Sequence, residues 1–293
     1  MANLPEALSD EKCALGESPL WLQESGQLIW VDIEGLCIHS YAPKTGARRR
    51  ISVGSRVGAV APANGGRLVC ATQDGFYYLD LASERFQPIA DPEAHLPGTR
   101  FNDGKCDPAG RFWAGTMPLS GDEPACSLYC LAGDGAVRRM VTGIGCSNGL
   151  GWSPDGAVMY YIDTFTYRID SFHYDAATGD IRNRRTVCRI PPERGAPDGM
   201  AVDSEGMLWV ALWGGACVSR WNPRTGQCLE TVGLPVSLAT SCCFGGDDLD
   251  VLYITTARVG LGEARLLNKP LAGSVFAYRP GVRGLPAHVY CGD

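Results

Sequence analysis

The sequence predicts an all-β protein: a six-bladed β-propeller with four-stranded antiparallel blades, forming a single domain over residues 1–293. Three observations predict it. One phrase recurs, made of a polar residue, a small turn, an apolar strand, a Gly-containing turn and a second apolar strand ending in an aromatic residue. It is fullest at residues 197–211 and returns at 148–163, at 102–115 and, more weakly, at 17–32. Its starts line up at Glu17, Ala59, Asn102, Asn148, Asp198 and Ser241, roughly 40–50 residues apart, which is the period of a propeller blade. A second signal, Pro/Asp followed by Thr-Gly, recurs at 41–46, 174–179 and 221–226 and reads as the turn between a third and a fourth strand.

Residues 1–15 carry Glu6, Asp10 and Glu11 and no apolar run, so they read as a loop or edge strand and not as a signal peptide. From Glu17 onward, short β-rich runs are bounded by Gly, Pro, Asn and Asp; examples are 27–33, 68–72, 76–81, 158–163 and 251–255. No segment keeps apolar residues at helical spacing, and Ala94-His95-Leu96 reads as a single turn at most. The run 274–278 and the tail to Tyr290 are expected to complete the last blade, with the leading residues closing the ring there. No domain boundary is visible, because each blade buries its faces against its neighbours.

Hydrophobic content of 45% and charged content of 20% describe a globular chain. A net charge of −6 argues against a nucleic-acid binder, which carries a basic face. No apolar stretch approaches the ~20 residues needed to span a bilayer. The 13 cysteines are odd in number, with no CxxC and one adjacent pair, Cys242-Cys243. They read as small buried apolar residues in a reducing cytoplasm, and they lack the clusters of a structural zinc site.

In a propeller, the start of each innermost strand faces the central channel. Glu17, Asn102, Asn148 and Asp198 therefore converge on one axis. Unpaired carboxylates buried there cost several kcal/mol or more, which a cation relieves. Oxygen donors of this kind suit Ca²⁺, Mg²⁺ or Mn²⁺, with Zn²⁺ and Fe²⁺ also open. The plainer reading of the same residues is that each Asn or Asp caps a turn.

The stretches Leu15-Gly16-Glu17-Ser18-Pro19-Leu20-Trp21, Arg100-Phe101-Asn102-Asp103-Gly104-Lys105, Ser147-Asn148-Gly149-Leu150 and Pro197-Asp198-Gly199-Met200 resemble the senescence-marker-protein/gluconolactonase/luciferin-regenerating-enzyme family. Residues 107–117 and 240–246 are similar to its animal members in particular. The resemblance runs in order along nearly the whole chain. It implies a six-bladed propeller that holds one divalent cation in its channel and hydrolyses sugar lactones. By position it implies Glu17, Asn148 and Asp198 as metal ligands and Asp198 as general base. It further implies Arg100 and Asn102 as binders of substrate oxygens, with Asn102 approaching the metal through water. One departure is visible: where animal members carry an acidic lid, residues 118–124 form a shorter loop with Ser120 in place of an acid.

Other signals compete less well. Gly145-Cys146-Ser147-Asn148-Gly149 matches GxSxG, but a nucleophile elbow needs a strand-to-helix turn and a strand follows here. His39, His95, His173 and His288 all fall outside the blade starts. Arg48-Arg49-Arg50 and Arg182-Asn183-Arg184-Arg185 read as solvated edge-strand faces. Trp21, Trp30, Trp113, Trp152 and Trp209 read as inter-blade packing; for Trp213, just beyond the second strand of its blade, lining a substrate mouth is the alternative to packing. The expectation is a cytoplasmic, metal-dependent lactonase opening an aldonolactone to the aldonic acid. The alternative is a calcium-binding regulatory protein, which the likeness to the animal members also permits. Neither the sugar, the metal nor the oligomeric state follows from the residues.

Overall fold

The computed structural model describes residues 4–8, 11–121 and 126–292. It is a six-bladed propeller of four-stranded antiparallel sheets. The first blade runs Gly16–Leu22, Gln27–Asp32, Cys37–Ala42 and Ala47–Ser52 from the axis outward. The innermost strands of the next five blades are Val57–Ala63, Thr99–Cys106, Ser147–Trp152, Ala196–Val202 and Ala239–Gly245. Those are the predicted repeat starts to within a few residues. The basic runs lie on the exposed outermost strands Ala47–Ser52 and Ile181–Arg189, as expected.

The last blade follows expectation in its strands and departs from it in the tail. Its third strand is Phe276–Tyr278 and its outermost strand is Glu6–Ala7, so the two ends of the chain close one sheet. The tail does not join that blade. It crosses the base of the ring: Ser204 N donates to Arg283 O at 2.9 Å, Tyr290 N to Pro62 O at 2.7 Å, and Cys291 N to Gly110 O at 2.9 Å. Tyr290 is fully buried under it and donates to Ala132 O at 2.7 Å. A short helix, Glu263–Asn268, also appears where no helical period was readable; six residues are too few to show one.

Apolar side chains collect at each of the six junctions between neighbouring blades rather than in one central core. Trp113 of the third blade meets Trp152 of the fourth edge-on at 6.0 Å, and Trp21 of the first stacks on Tyr253 of the sixth at 5.7 Å. The recurrent aromatics therefore pack between blades, as predicted.

The recurring Asp-x-x-Gly-x-x-Trp unit has a local explanation. Asp203 Oδ1 accepts from Glu205 N and Met207 N, closing the turn, and Oδ2 accepts from Trp209 Nε1 and Arg220 Nε. Asp107 does the same with Ala109 N, Arg111 N, Trp113 Nε1 and Arg111 Nη1. One carboxylate thus fixes the turn and the rotamer of the tryptophan that fills the next junction. Both aspartates are fully buried and fully partnered. Asp203→Ala removes the buried one of Arg220's two carboxylate partners and leaves three N–H donors unpaired, so it should cost about 3–5 kcal/mol. Glu205→Ala, at an exposed neighbour of the same arginine, should cost under about 1 kcal/mol. Urea unfolding midpoints of the two variants check the ranking.

Candidate functional site

All six innermost strands run the same way along the channel, so their first residues form one mouth and their last residues the other end. Each slips register near its start. Asn102-Asp103, Asn148-Gly149 and Asp198-Gly199 are each two residues lying opposite one on the neighbouring strand. These are β-bulges, which re-aim side chains that strict alternation would send to opposite faces. The "small turn" of the sequence phrase is therefore a bulge inside a strand. Glu17 sits one residue before the equivalent bulge at Ser18-Pro19, and Ser18 adopts a left-handed φ of 45° beside it. The glycines permit close passage of the strands. A Cβ on Gly149 would lie 2.6 Å from Asp198 O, and one on Gly199 would lie 2.0 Å from Ser241 Oγ.

The structure brings all five predicted residues to this mouth, and all are buried. Arg100 Nη1 donates to Asn102 Oδ1 at 2.9 Å, and Asn102 Nδ2 donates to Ser147 O at 2.8 Å. Asn148 Nδ2 donates to Thr164 Oγ1 at 3.0 Å, and that hydroxyl donates to Pro197 O at 2.8 Å. Asn148 is thereby held by its amine side, and its Oδ1 is buried with no partner among the described residues. Glu17 Oε2 accepts from Ser18 N at 2.7 Å.

Burial pushes the Glu17 carboxyl well above its ordinary value, and the charges of Asp198 and Asp103 push it further. Asp198 is raised in the same way, by burial and then by Asp103, with the Asn148 amide, Arg100 and Gly199 N–H opposing. Asp103 was not predicted as a site residue. Its signal was a polar residue next to Asn102, but strand alternation turns that position away; the bulge turns it back. Thr164 was also missed, because it lies on a short turn after the second strand of its blade.

Three buried carboxyls that repel one another, together with an unpartnered amide oxygen, form an electronegative oxygen cage. Glu17, Asn148 and Asp198 supply hard oxygen donors, the set that fits a divalent cation such as Ca²⁺, Mg²⁺ or Mn²⁺. The residues present therefore fit the implied metal.

The competing motifs do not survive. Ser147 begins a strand, is fully buried, and accepts a hydrogen bond from Tyr161 OH at 2.8 Å, so it is no nucleophile elbow. The four histidines lie away from this mouth, in the third strands of the first and fourth blades, an exposed turn and the base. Trp213 ends the second strand of the fifth blade, half-buried opposite Ala196, at the mouth end. Of the short loop, Ser120 is exposed, and residues 122–125 lie outside the described residues.

Residues 15–258 match the family model described as SMP-30/gluconolactonase/LRE-like region. The chain belongs to this family. It is 41% identical to regucalcin of Oryctolagus cuniculus, with 98% of each chain covered. It is 39% identical to YvrE of Bacillus subtilis (strain 168), whose name proposes a sugar lactone lactonase, over 97% of this chain and 98% of that one. It superposes with a TM-score of 0.94 on a calcium-binding protein, regucalcin, from Agrobacterium tumefaciens str. C58, at 28% identity, covering 98% of this chain and 97% of that one.

The electrostatics give a signed prediction. A carboxyl raised in the folded state contributes stability that is complete below its ordinary value, 4.5 for Glu17 and 3.8 for Asp198, and is lost as pH rises through the folded value. In chelator, Glu17→Gln should therefore match wild type near about pH 4 and exceed it in unfolding temperature from about pH 7 upward. In excess Ca²⁺ the order should reverse, because wild type alone keeps the full oxygen set. Scanning calorimetry at the two pH values checks both signs.

Proposed function

We propose that the chain is a metal-dependent sugar lactonase, opening an aldonolactone to the aldonic acid. The observation that carries this reading is the buried cluster of Glu17, Asn148 and Asp198, with Asn148 Oδ1 unpartnered, beside Arg100 and Asn102. The name carried by the Bacillus subtilis relative supports the same chemistry.

Glu17, Asn148 and Asp198 would hold the cation. When bound, it supplies the charge that keeps the buried carboxylates ionised and that polarises the lactone carbonyl. Arg100 is anchored through Nη1, while its Nε and Nη2 make no hydrogen bond among the described residues, so they remain for substrate oxygens. Asn102 is fixed by Arg100 and by Ser147 O, which sets the plane of its amide against the sugar. Asp198 accepts a proton from the attacking water, the water oxygen bonds to the carbonyl carbon, and the ring C–O bond breaks. The departing ring oxygen takes up a proton, so the product is the open hydroxy acid. A lactone is an activated ester, and base catalysis worth about 10²–10⁴-fold is of useful size for it.

A second reading has its own support: the Agrobacterium tumefaciens neighbour is described as calcium-binding. In that reading the same cage binds Ca²⁺ for regulation. Calcium titration against turnover separates the two. The regulator binds Ca²⁺ at micromolar levels without saturable lactone turnover, and the enzyme turns over with several metals. We also place the protein in a reducing compartment such as the cytoplasm. All thirteen cysteines are unpaired, and ten of them are buried as small apolar residues. No helix among the described residues is long and apolar enough to cross a membrane.

Asp198→Asn should lower turnover about 10²–10⁴-fold even where metal content is retained, whereas Ser147→Ala should keep turnover close to wild type. Hydrolysis of a panel of pentono- and hexonolactones, with metal content measured on the same samples, checks both. Near wild-type turnover in metal-loaded Asp198→Asn would remove the base role.

A further inference from the structure

A second group of potential ligands lies outside the channel, at the inner seam where the first blade meets the sixth. We propose that Cys13, Asp32 and His39 form a separate binding site for a thiophilic divalent cation of the Zn²⁺ class. One donor atom from each lies within 4.8 Å of the other two, and all three residues are buried. With metal–ligand bonds of about 2.0–2.3 Å, donors around zinc sit about 3–4 Å apart, so small side-chain adjustments close the set. Cys37 adds a second sulfur at the edge, with Sγ 3.2 Å from His39 Nε2.

The surrounding groups are arranged as the outer shell of such a site usually is. Trp30 Nε1 donates to Cys13 Sγ at 3.3 Å, a bond that favours a thiolate. Ala14 N, Leu15 N and Gly35 N donate to the Asp32 oxygens, each at 2.9 Å, and fix the carboxylate. Glu11 Oε1 lies 3.0 Å from His39 Nδ1, and the Trp30 indole stacks on the imidazole at 5.1 Å and 12°. Nε2 meets Cys37 Sγ and Nδ1 faces Glu11, so His39 gives up one of these two contacts when it binds the metal.

The charge balance points the same way. Burial pushes the Cys13 thiol up to about 12, and the charge of Asp32 adds to it, with smaller additions from Cys37 and Glu11. Of the nearby cations, Arg50 acts on the edge of the pocket, where it opposes the effect of burial on Cys37, and Lys12 Nζ donates to Ser274 Oγ at 2.6 Å. A dication satisfies this electronegative pocket. On binding, the Cys13 thiol proton leaves to solvent and a sulfur–metal bond forms, with no change of oxidation state.

Position gives the site a role. Cys13 N donates to Gly273 O, Ala14 O accepts from Arg258 N, and Leu15 bridges to Ala257. An ion held by Cys13 together with Asp32 and His39 would pin this seam. The proposal does not rest on the lactonase reading.

Cobalt(II) tests it in the full chain after chelator treatment, because only a sulfur ligand gives a near-ultraviolet thiolate-to-cobalt band and the expected channel ligands Glu17, Asn148 and Asp198 are oxygen donors; loss of the band in Cys13→Ser then separates this site from the cysteines along the channel, Cys106, Cys242 and Cys243. The expected result is one equivalent of Co²⁺ with that band, displaced by Zn²⁺, retained in Asp198→Asn and lost in Cys13→Ser. Zn²⁺ should raise the unfolding temperature of wild type and not of Cys13→Ser. Glu11→Gln, a milder change, should weaken Zn²⁺ binding about 10–100-fold, which keeps the test open if Cys13→Ser fails to fold. No thiolate band in wild type at saturating cobalt, or a band that survives Cys13→Ser, overturns the proposal.

Discussion

Six strands must pass one axis side by side, and the room between them is smaller than a methyl group at several points. A Cβ on Gly58 would sit 2.2 Å from Asn102 O, and the equivalents at Gly149 and Gly199 meet the next strand just as closely. This crowding brings side chains from distant parts of the chain together. Thr240 Oγ1 donates to Gly16 O, Ser18 Oγ accepts from Val60 N, and Asn102 Nδ2 donates to Ser147 O, so polar cross-links stitch strand to strand around the ring. Where the strands bulge to fit, the bulged residues face the channel.

The same crowding creates an electrostatic problem. Glu17, Asp103 and Asp198 are drawn into one buried space, where each raises the proton affinity of another. Nothing in the apolar junctions between blades compensates for it. Arg100 opposes part of the repulsion, but burial lowers its own proton affinity too. Stability and function are therefore opposed at the mouth. Burial desolvates the carboxylates, and the same desolvation strengthens whatever charge they are arranged to receive. The blades carry the opposite arrangement. Asp107 and Asp203 are just as buried, yet each is surrounded by donors and serves only the fold.

Much of this was legible in the sequence. The blade period, the Thr-Gly turns and the paired aromatics each repeat, so tertiary packing had several chances to leave its mark. The mouth residues were legible by type and phase, since Asn and Asp at a strand start have no packing reason to be there. Their local geometry was not legible: Asn-Gly and Asp-Gly serve turns and bulges equally well, and only the neighbouring strand decides which. Asp103 stayed hidden for the same reason. The Cys13–Asp32–His39 group was invisible because its members lie in three different segments, the leading loop and the second and third strands of the first blade, and nothing in their spacing marks them. The tail was misplaced because a short apolar run reads equally well as a strand or as a strap across the base.

The sixth sheet takes its outermost strand, Glu6–Ala7, from the opposite end of the chain, against Phe276–Tyr278. That pairing has consequences for biosynthesis. Glu6–Ala7 emerges from the ribosome before the six blades do and has no partner until Phe276–Tyr278 has been translated. Five blades can stack as they emerge, each on the one before, while the sixth remains open at its edge. Closing a loop of this length carries an entropic cost that grows only logarithmically, so the delay is kinetic more than thermodynamic. The nascent ring therefore exposes an unpaired strand edge until its closing strands meet, and that is the period in which it is most open to chaperones and to misassembly with a second copy.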